Sequence, residues 1–135
     1  MSGLVLKLGP KERVLINGAV IENGDRRSRL AIMTPDAHIL RLKDAIHPED
    51  AKTPVRRACF AVQLVLSGDS APEKAHHQLL RQLEELSQVF TDPDSRKALA
   101  EASAGVIAGQ HYRTLKCLRS LLPREDRLFA LQQAN

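Results

Sequence analysis

The chain has 135 residues, of which 43% are hydrophobic and 3% aromatic. This fits one domain, or one small domain with a helical extension, around a core of Leu, Val, Ile and Ala. No stretch approaches the roughly 20 apolar residues that cross a bilayer, and the N-terminus lacks a signal-peptide pattern, so we expect a cytoplasmic protein without a membrane partner. The formal net charge of +4 arises within residues 1–57, which hold 11 Lys and Arg against 7 Asp and Glu, and this excess indicates an anionic partner.

Five short strands are predicted in the first part of the chain, where apolar residues alternate between turn signals. They cover residues 4–8, 13–16, 19–22, 29–33 and 38–42. Two Asn-Gly pairs, Asn17-Gly18 and Asn23-Gly24, predict that the chain turns back twice, because both residue types accept positive φ in tight hairpins. We therefore expect a five-stranded antiparallel sheet, small and barrel-like, that needs a helical cover or a second copy of itself.

Helical periodicity begins after residue 50 and continues to the end of the chain. The predicted helix boundaries are caps at Thr53 and Asp92, a capping box from Ser70 to Glu73, stops at Gly68 and Gly109, and Pro123 as either a stop or a start. These boundaries predict a bundle of three to five helices. The fold class is α+β, with a basic β domain over residues 1–50 and a helical domain over residues 51–135.

Basic residues accumulate in the predicted strands and in the loop after Asn23-Gly24. Arginine side chains at a loop can bind phosphate bidentately, although a basic loop can equally be a solvated surface. Further Lys and Arg residues in the same strands favour a polyanion such as RNA. The predicted RNA-binding residues are Arg26, Arg27, Arg29, Lys7, Arg13, Arg41 and Lys43. No aromatic residue precedes Phe60, so recognition must depend on charge, backbone contacts and hydrogen bonds.

Enzymatic or metal chemistry is not indicated by the remaining polar residues. His76 and His77 are adjacent and point about 100° apart on a helix, which disfavours a shared metal ion. Cys117 and His111 are six residues apart and predict a buried thiol and a surface imidazole rather than a nucleophile and its base. Acidic pairs such as Glu125-Asp126 are expected on solvated helix faces. We predict neither an enzyme nor a bound cofactor or metal.

The leucine stripes of the helices are interpreted as core. An alternative is that the last helices form an open hairpin that receives a partner helix. Gly105 and Gly109, surrounded by Ala and Ser, would allow that helix to approach closely. The sequence alone does not separate the two interpretations.

The whole chain resembles the FlbT family of bacterial flagellum biosynthesis regulators. The resemblance lies in the segment Ile16-Asn17-Gly18-Ala19-Val20-Ile21, in Asn23-Gly24-Asp25-Arg26-Arg27, and in Thr53-Pro54-Val55-Arg56-Arg57 before an apolar helix. It implies a cytoplasmic post-transcriptional regulator that binds the 5′ untranslated region of flagellin messenger RNA. Such a regulator represses translation or promotes mRNA decay, and in some members the sign is reversed to activation.

The first 45 residues also resemble the carbon storage regulator family, whose members are five-stranded RNA-binding proteins that form intertwined dimers. The similar segments are Leu4-Val5-Leu6, residues 12–16, and residues 40–46. Two arginines hold RNA in that family, and the matching positions here are Leu8 and Lys43, so one of the two anchors is lost. The similarity implies a homodimer in which two sheets complete each other's edges.

Two functions follow from these patterns. The first is an RNA-binding regulator with a basic β domain and a helical domain that docks a protein partner or mediates dimerisation. The alternative is a chaperone or adaptor in flagellum biogenesis whose helices bind flagellin or another regulator without contacting RNA.

Overall fold

The computed structural model describes residues 4–17, 19–35, 37 and 39–134. Its class is α+β, as predicted, with the strands preceding the helices. The strands are β1 (Leu4–Leu8), β2 (Arg13–Ile16), β3 (Ala19–Glu22), β4 (Ser28–Ile32) and β5 (Ile39–Arg41). The helices are α1 (Pro54–Leu66), α2 (Pro72–Val89), α3 (Pro93–Ile107), α4 (His111–Arg119) and α5 (Leu122–Ala134). Gly18 and His38, which belong to the first predicted hairpin turn and the fifth predicted strand, lie outside the described residues.

The described strands form two small antiparallel sheets, so the predicted single five-stranded sheet was wrong. β1 pairs with β4 in a ribbon, and β2 lies between β3 and β5 in a three-stranded sheet. Neither sheet closes into a barrel. Asn17, at φ 50°, lies at the end of β2 where the chain turns toward β3, as predicted for the first hairpin. The loop that contains Asn23 and Gly24 instead carries the chain from the sheet to the ribbon.

The ribbon, the three-stranded sheet and the helices are stacked as three layers. Because side chains alternate along a strand, the middle sheet has two covered faces. Val14 and Ile39 pack with the inner residues of the ribbon. Leu15 and Leu40 face the opposite way and pack against the larger helical core. This core is centred on α1, which contacts α2, α4 and α5 and also reaches β5.

Two of the predicted helix caps are confirmed and one is wrong. The side chain of Thr53 accepts a hydrogen bond from the backbone N of Arg56 at 3.3 Å. The Asp92 carboxylate accepts one from the backbone N of Ser95 at 3.0 Å, and its hydrogen bonds with Ser95 lower the pKa of Asp92. The predicted capping box at Ser70 does not form. α2 begins at Pro72, so Ala71 is the N-cap and Ser70 lies one residue too early to cap it.

The small residues of α3 serve packing within the chain. A Cβ atom on Gly105 would lie 2.3 Å from Thr114 Oγ1 of α4, so these two helices approach too closely for any side chain here. Thr114 Oγ1 also donates a hydrogen bond to the Ala102 carbonyl at 2.9 Å. Gly109, at φ 73°, lies just beyond the end of α3 as predicted. The alternative that Gly105 admits a partner helix is therefore wrong.

The first turn of α5 is anchored to the N-terminus of α1 by Glu125. This side chain is buried, and its carboxylate accepts hydrogen bonds from the Thr53 hydroxyl and from the backbone N of Val55 at 2.8 Å. Arg56 pairs with Asp126 at 2.9 Å and with Glu125 at 3.4 Å, and the Asp126 hydrogen bond raises the pKa of Arg56. The expectation of a solvated Glu125 was wrong because its negative charge is stabilised at the positive end of a helix.

Gln63 fastens the segment after β5 to α1. Its buried side chain accepts a hydrogen bond from the backbone N of Ile46 at 2.6 Å and donates one to the Ile46 carbonyl at 2.9 Å. Ala45 and Ile46 also pack against the helical core. These contacts hold the β layers in a defined position against the helices. The domain boundary at residue 50 stays a prediction.

Candidate nucleic-acid interface

A basic cleft lies where the ribbon meets the end of β5. Its volume is about 610 Å³, and it opens to solvent. The first strand, the turn that follows it, the start of β4 and the residues after β5 all contribute to its walls. The lining residues are Lys7, Leu8, Gly9, Pro10, Glu12, Arg27, Ser28, Arg29, Arg41 and Lys43. Five cationic residues and one acidic residue therefore line a single cleft.

Strand register brings two of these cations side by side. In the antiparallel pairing of β1 with β4, Lys7 lies directly opposite Arg29, so their side chains project from the same face of the ribbon. The neighbouring pair, Leu8 with Ser28, projects from the other face, where Leu8 is buried. Lys7 and Arg29 are both exposed. Two like charges thus face each other across the ribbon, an arrangement that destabilises a sheet unless an anion lies between them.

Arg41 is held in the cleft wall by Glu12. Its Nε lies 2.6 Å from Glu12 Oε2, and its Nη2 lies 2.8 Å from Glu12 Oε1 and 2.6 Å from the Lys7 carbonyl. Glu12 also accepts a hydrogen bond from the backbone N of Gly9 at 3.0 Å, and its side chain is 8% exposed. The Arg41 hydrogen bond, followed by that of Gly9, lowers the pKa of Glu12 to about 2. The pair is therefore ionised, and it fixes the guanidinium while cancelling part of its charge.

Asn23 shapes the loop that leads to β4. Its side-chain amide donates hydrogen bonds to the Gly9 carbonyl at 2.7 Å and the Arg26 carbonyl at 2.9 Å. Its Oδ1 accepts a hydrogen bond from the Ser28 hydroxyl at 2.6 Å, and its backbone N donates to the Glu12 carbonyl at 2.8 Å. The residue predicted to form a hairpin turn instead ties the loop to the turn between β1 and β2. This attachment carries β4 to β1 and brings Arg27 and Arg29 to the cleft.

Five of the seven predicted RNA-binding residues line the cleft, and two do not. Arg13 projects from the three-stranded sheet, where its Nε pairs with Glu22 Oε1 at 2.9 Å. Arg26 is exposed on the loop but is not among the lining residues. Sequence reasoning missed Glu12, whose pairing with Arg41 spans 29 residues. A single acidic residue between basic strands was the available signal for it.

The cysteine and histidine residues lie in the helical layer. Cys59 is buried, and burial raises the pKa of its thiol to about 12, which makes it unreactive. Cys117 is half-buried, and burial raises the pKa of this thiol as well. His111 is buried, so the expected surface imidazole was wrong. The rings of His76 and His77 pack edge to face at 5.5 Å. Within the described residues, no three His, Cys, Asp or Glu side chains are grouped as metal ligands would be.

A comparison with protein families identifies the chain. The family model described as flagellar protein FlbT matches residues 4–129. The chain belongs to the FlbT family. The matched range contains the whole basic cleft, α1 to α4, and the anchored first turn of α5. The family resemblance predicted from the sequence is thereby confirmed.

Relatives of this FlbT-family chain extend over nearly its full length. The probable flagellum biosynthesis repressor protein FlbT of Caulobacter sp. (strain K31) is 35% identical over 123 residues, which are 91% of this chain and 93% of that protein. The flagellum biosynthesis repressor protein FlbT of Caulobacter vibrioides (strain ATCC 19089 / CIP 103742 / CB 15) is 33% identical over 123 residues, with coverages of 91% and 86%. The probable repressor FlbT of Rhodopseudomonas palustris (strain TIE-1) is 35% identical over 128 residues, with coverages of 94% and 98%. No solved structure matches the chain at a significant level.

The names of these FlbT relatives describe repressors of flagellum biosynthesis, which is a regulatory role. They do not describe a catalyst. None of the described helices combines the length and the hydropathy that spanning a bilayer requires.

Proposed function

We propose that this FlbT-family chain is a post-transcriptional regulator that binds the 5′ untranslated region of flagellin messenger RNA. Binding of the message in the basic cleft represses its translation or directs it to decay. The relatives named as flagellum biosynthesis repressors support this sign of regulation. The protein acts in the cytoplasm, where the message is translated, and uses no enzymatic reaction and no cofactor.

The cross-strand pair of Lys7 and Arg29 is the observation that carries this proposal. Because like charges lie directly opposite each other on the ribbon, a phosphate bound between them replaces a repulsion with two attractive contacts. Arg27 and Lys43 line the same cleft and can neutralise further phosphates. A polyanion therefore suits the cleft better than a single small anion does.

The lining residues also indicate how RNA is recognised. None of the ten is aromatic, so bases cannot stack on aromatic rings within the cleft. Phosphate contacts fix the position of the strand, and the Ser28 hydroxyl, which donates its hydrogen to Asn23, can accept a hydrogen bond from a sugar or a base. Affinity should therefore depend steeply on salt concentration.

A salt titration tests this function. The double variant Arg27→Gln/Arg29→Gln should bind a flagellin leader RNA more weakly and should lower the slope of log affinity against log salt by about 1.4, since each phosphate contact on single-stranded RNA contributes roughly 0.7. The matched control is Arg81→Gln/Lys97→Gln, which removes two exposed cations of α2 and α3 outside the cleft. An unchanged slope in the cleft variant, or an equal loss in the control, contradicts the proposed site.

We also propose a homodimer as the functional unit. Open strand edges in both small sheets support this, because a second copy can complete them. Two clefts in one assembly increase the effective affinity for a message that carries two binding segments.

A second candidate function is an adaptor in flagellum biogenesis that binds flagellin or another regulator through its helices. The exposed apolar side chains of α5 favour it. Beyond the anchored first turn, Leu128 is 40% exposed, Phe129 39% and Leu131 63%. A gel shift with leader RNA separates the two functions, since an adaptor without RNA contact gives no shift even at low salt.

A further inference from the structure

β3 is an apolar edge strand that the neighbouring layers leave uncovered. Val20, on the face toward the helices, is 62% exposed, and Ile21, on the face toward the ribbon, is 36% exposed. Their cross-strand partners on β2 are Leu15, which is half-buried, and Val14, which is fully buried. The sheet therefore extends past its cover on both faces, and β3 presents backbone N–H and C=O groups to solvent along its outer edge.

The two strands of the ribbon, β1 and β4, each carry a charge inside the strand that discourages pairing with another chain, whereas β3 carries its charge on its last residue. Lys7 lies within β1 and Arg29 within β4, and charged side chains on an edge strand oppose association. β3 has the sequence Ala-Val-Ile-Glu, so its charge lies at the end of the strand. Glu22 is moreover paired with Arg13. The apolar centre of β3 is thus open to a second strand.

We infer that β3 binds a second copy of this chain by antiparallel pairing about a two-fold axis, with Val20 opposite Val20 of the partner subunit. This contact specifies the homodimer of the proposed function. The two three-stranded sheets then form one continuous six-stranded sheet. A two-fold axis perpendicular to the sheet keeps both helical layers on one side and both ribbons on the other.

This register continues the apolar rows of the sheet on both faces. On the helix side, the row of Leu40, Leu15 and Val20 runs on into Val20 of the partner subunit. On the ribbon side, Ile21 lies opposite Ala19 of the partner subunit. Glu22 stands at the periphery beside the partner's turn, so the two Glu22 carboxylates do not meet. Directly opposed apolar pairs stabilise a sheet, and opposed like charges destabilise it.

The contact between the two β3 strands is short, so the association of the two copies is weak. Each copy contributes the four residues of β3, and two such strands bury less than the roughly 1,200 Å² at the lower end of stable interfaces. Association should therefore depend on concentration in the micromolar range.

A charge-pairing experiment tests the register. Sedimentation equilibrium of the full chain without RNA should give a mass that rises with concentration toward two chains. Val20→Glu and Val20→Lys should each stay at the mass of one chain, because like charges then face each other across the axis. An equimolar mixture of the two variants should recover the mass of two chains through opposite charges. Circular dichroism of each variant checks that this mostly exposed position leaves the fold intact.

Val89→Glu is the matched control, because Val89 is 59% exposed on α2, away from β3, and its substitution should leave association unchanged. A wild-type chain that stays at the mass of one chain up to several hundred micromolar overturns the inference. So does a Val20→Glu variant that associates like the wild type, or a mixture that does not associate. Gel shifts on the same samples separate the two proposals, since a single-chain species that binds leader RNA overturns only the β3 contact. An associated species that binds no RNA overturns only the proposed function.

Discussion

Replacing Glu12 with Gln tests whether an ionised pair holds the wall of the cleft. The carboxylate accepts hydrogen bonds from Nε and Nη2 of Arg41 and from the backbone N of Gly9, at 2.6, 2.8 and 3.0 Å. Glutamine keeps the shape of the side chain but removes the charge. It also offers one acceptor atom in place of two and places an amide NH₂ group beside the guanidinium.

The expected loss of stability follows from these contacts. Hydrogen bonds to charged groups contribute about 1.5–3 kcal/mol each, and a group left without its hydrogen-bond partner lowers stability more when it is buried. The Arg41 side chain is 21% exposed, so water compensates part of the loss. We expect Glu12→Gln to lower the free energy of unfolding by about 2 kcal/mol, which corresponds to a Tm lower by roughly 6 °C for a chain of this size.

The same variant should remove a pH dependence. Because Arg41 lowers the pKa of Glu12 from 4.5 in the unfolded chain to about 2 in the folded chain, the stabilisation is fully present above pH 4.5 and is lost as the pH falls toward 2. The stability difference between wild type and Glu12→Gln should therefore narrow over this interval. Urea unfolding at a series of pH values measures this stability difference, and the exposed pair of Arg13 and Glu22 serves as the reference. Glu22→Gln should change stability by less than about 1 kcal/mol. Equal stabilities of wild type and Glu12→Gln at pH 7, or a difference that is as large at about pH 2.5 as at pH 7, would refute this reasoning.

Three further variants have defined outcomes. Gly105→Ala should lower the free energy of unfolding by about 1–3 kcal/mol, because the added Cβ would lie 2.3 Å from an atom of α4. The control Gly24→Ala places its Cβ more than 4 Å from any other group and should be neutral, so equal urea midpoints for the two variants would contradict this. Arg27→Gln should reduce the salt slope of RNA binding more than Arg26→Gln does, because only Arg27 lines the cleft, and the reverse order would move the site. Glu125→Ala should lower stability by about 3 kcal/mol in thermal unfolding, since it leaves the Val55 amide and the Thr53 hydroxyl without their buried acceptor and removes one of the two carboxylates that pair with Arg56. A loss below about 0.5 kcal/mol would show that the cap is dispensable.

Local sequence patterns predicted the strands and helix starts well, because neighbouring residues determine where these elements form. Alternating apolar residues placed all five strands within one or two residues of their observed bounds. Proline after Thr53 and after Asp92 identified two helix starts, since a cap and its first turn depend on adjacent residues only. The capping box predicted at Ser70 is wrong for an equally local reason, because Pro72 is the first helical residue and the N-cap is therefore Ala71.

Strand pairing and the composition of the cleft depend on contacts between distant residues, and no local pattern encodes them. An Asn-Gly pair predicts a turn from backbone preferences alone, yet Asn23 uses its side chain to bind the turn between β1 and β2. Arg13, Arg26 and Arg41 look equivalent as basic residues of the β region. Only the fold shows that Arg13 faces Glu22, that Arg26 lies outside the cleft, and that Arg41 is held by Glu12. Glu125 looked like a surface residue because its partners lie about 70 residues earlier.

The cleft and the open edge of β3 have one structural origin. If β4 had followed β3 in the same sheet, Arg29 would not lie opposite Lys7, and β3 would have a strand on each side. The hydrogen bonds of Asn23 direct β4 to β1, and this one rearrangement both assembles the cationic pair and leaves Val20 and Ile21 exposed. In the dimer inferred for β3, both ribbons lie on the same side of the continuous sheet, so both clefts face the same way. One RNA strand can then contact two clefts, and a weak association of the protein becomes stronger when such an RNA is bound.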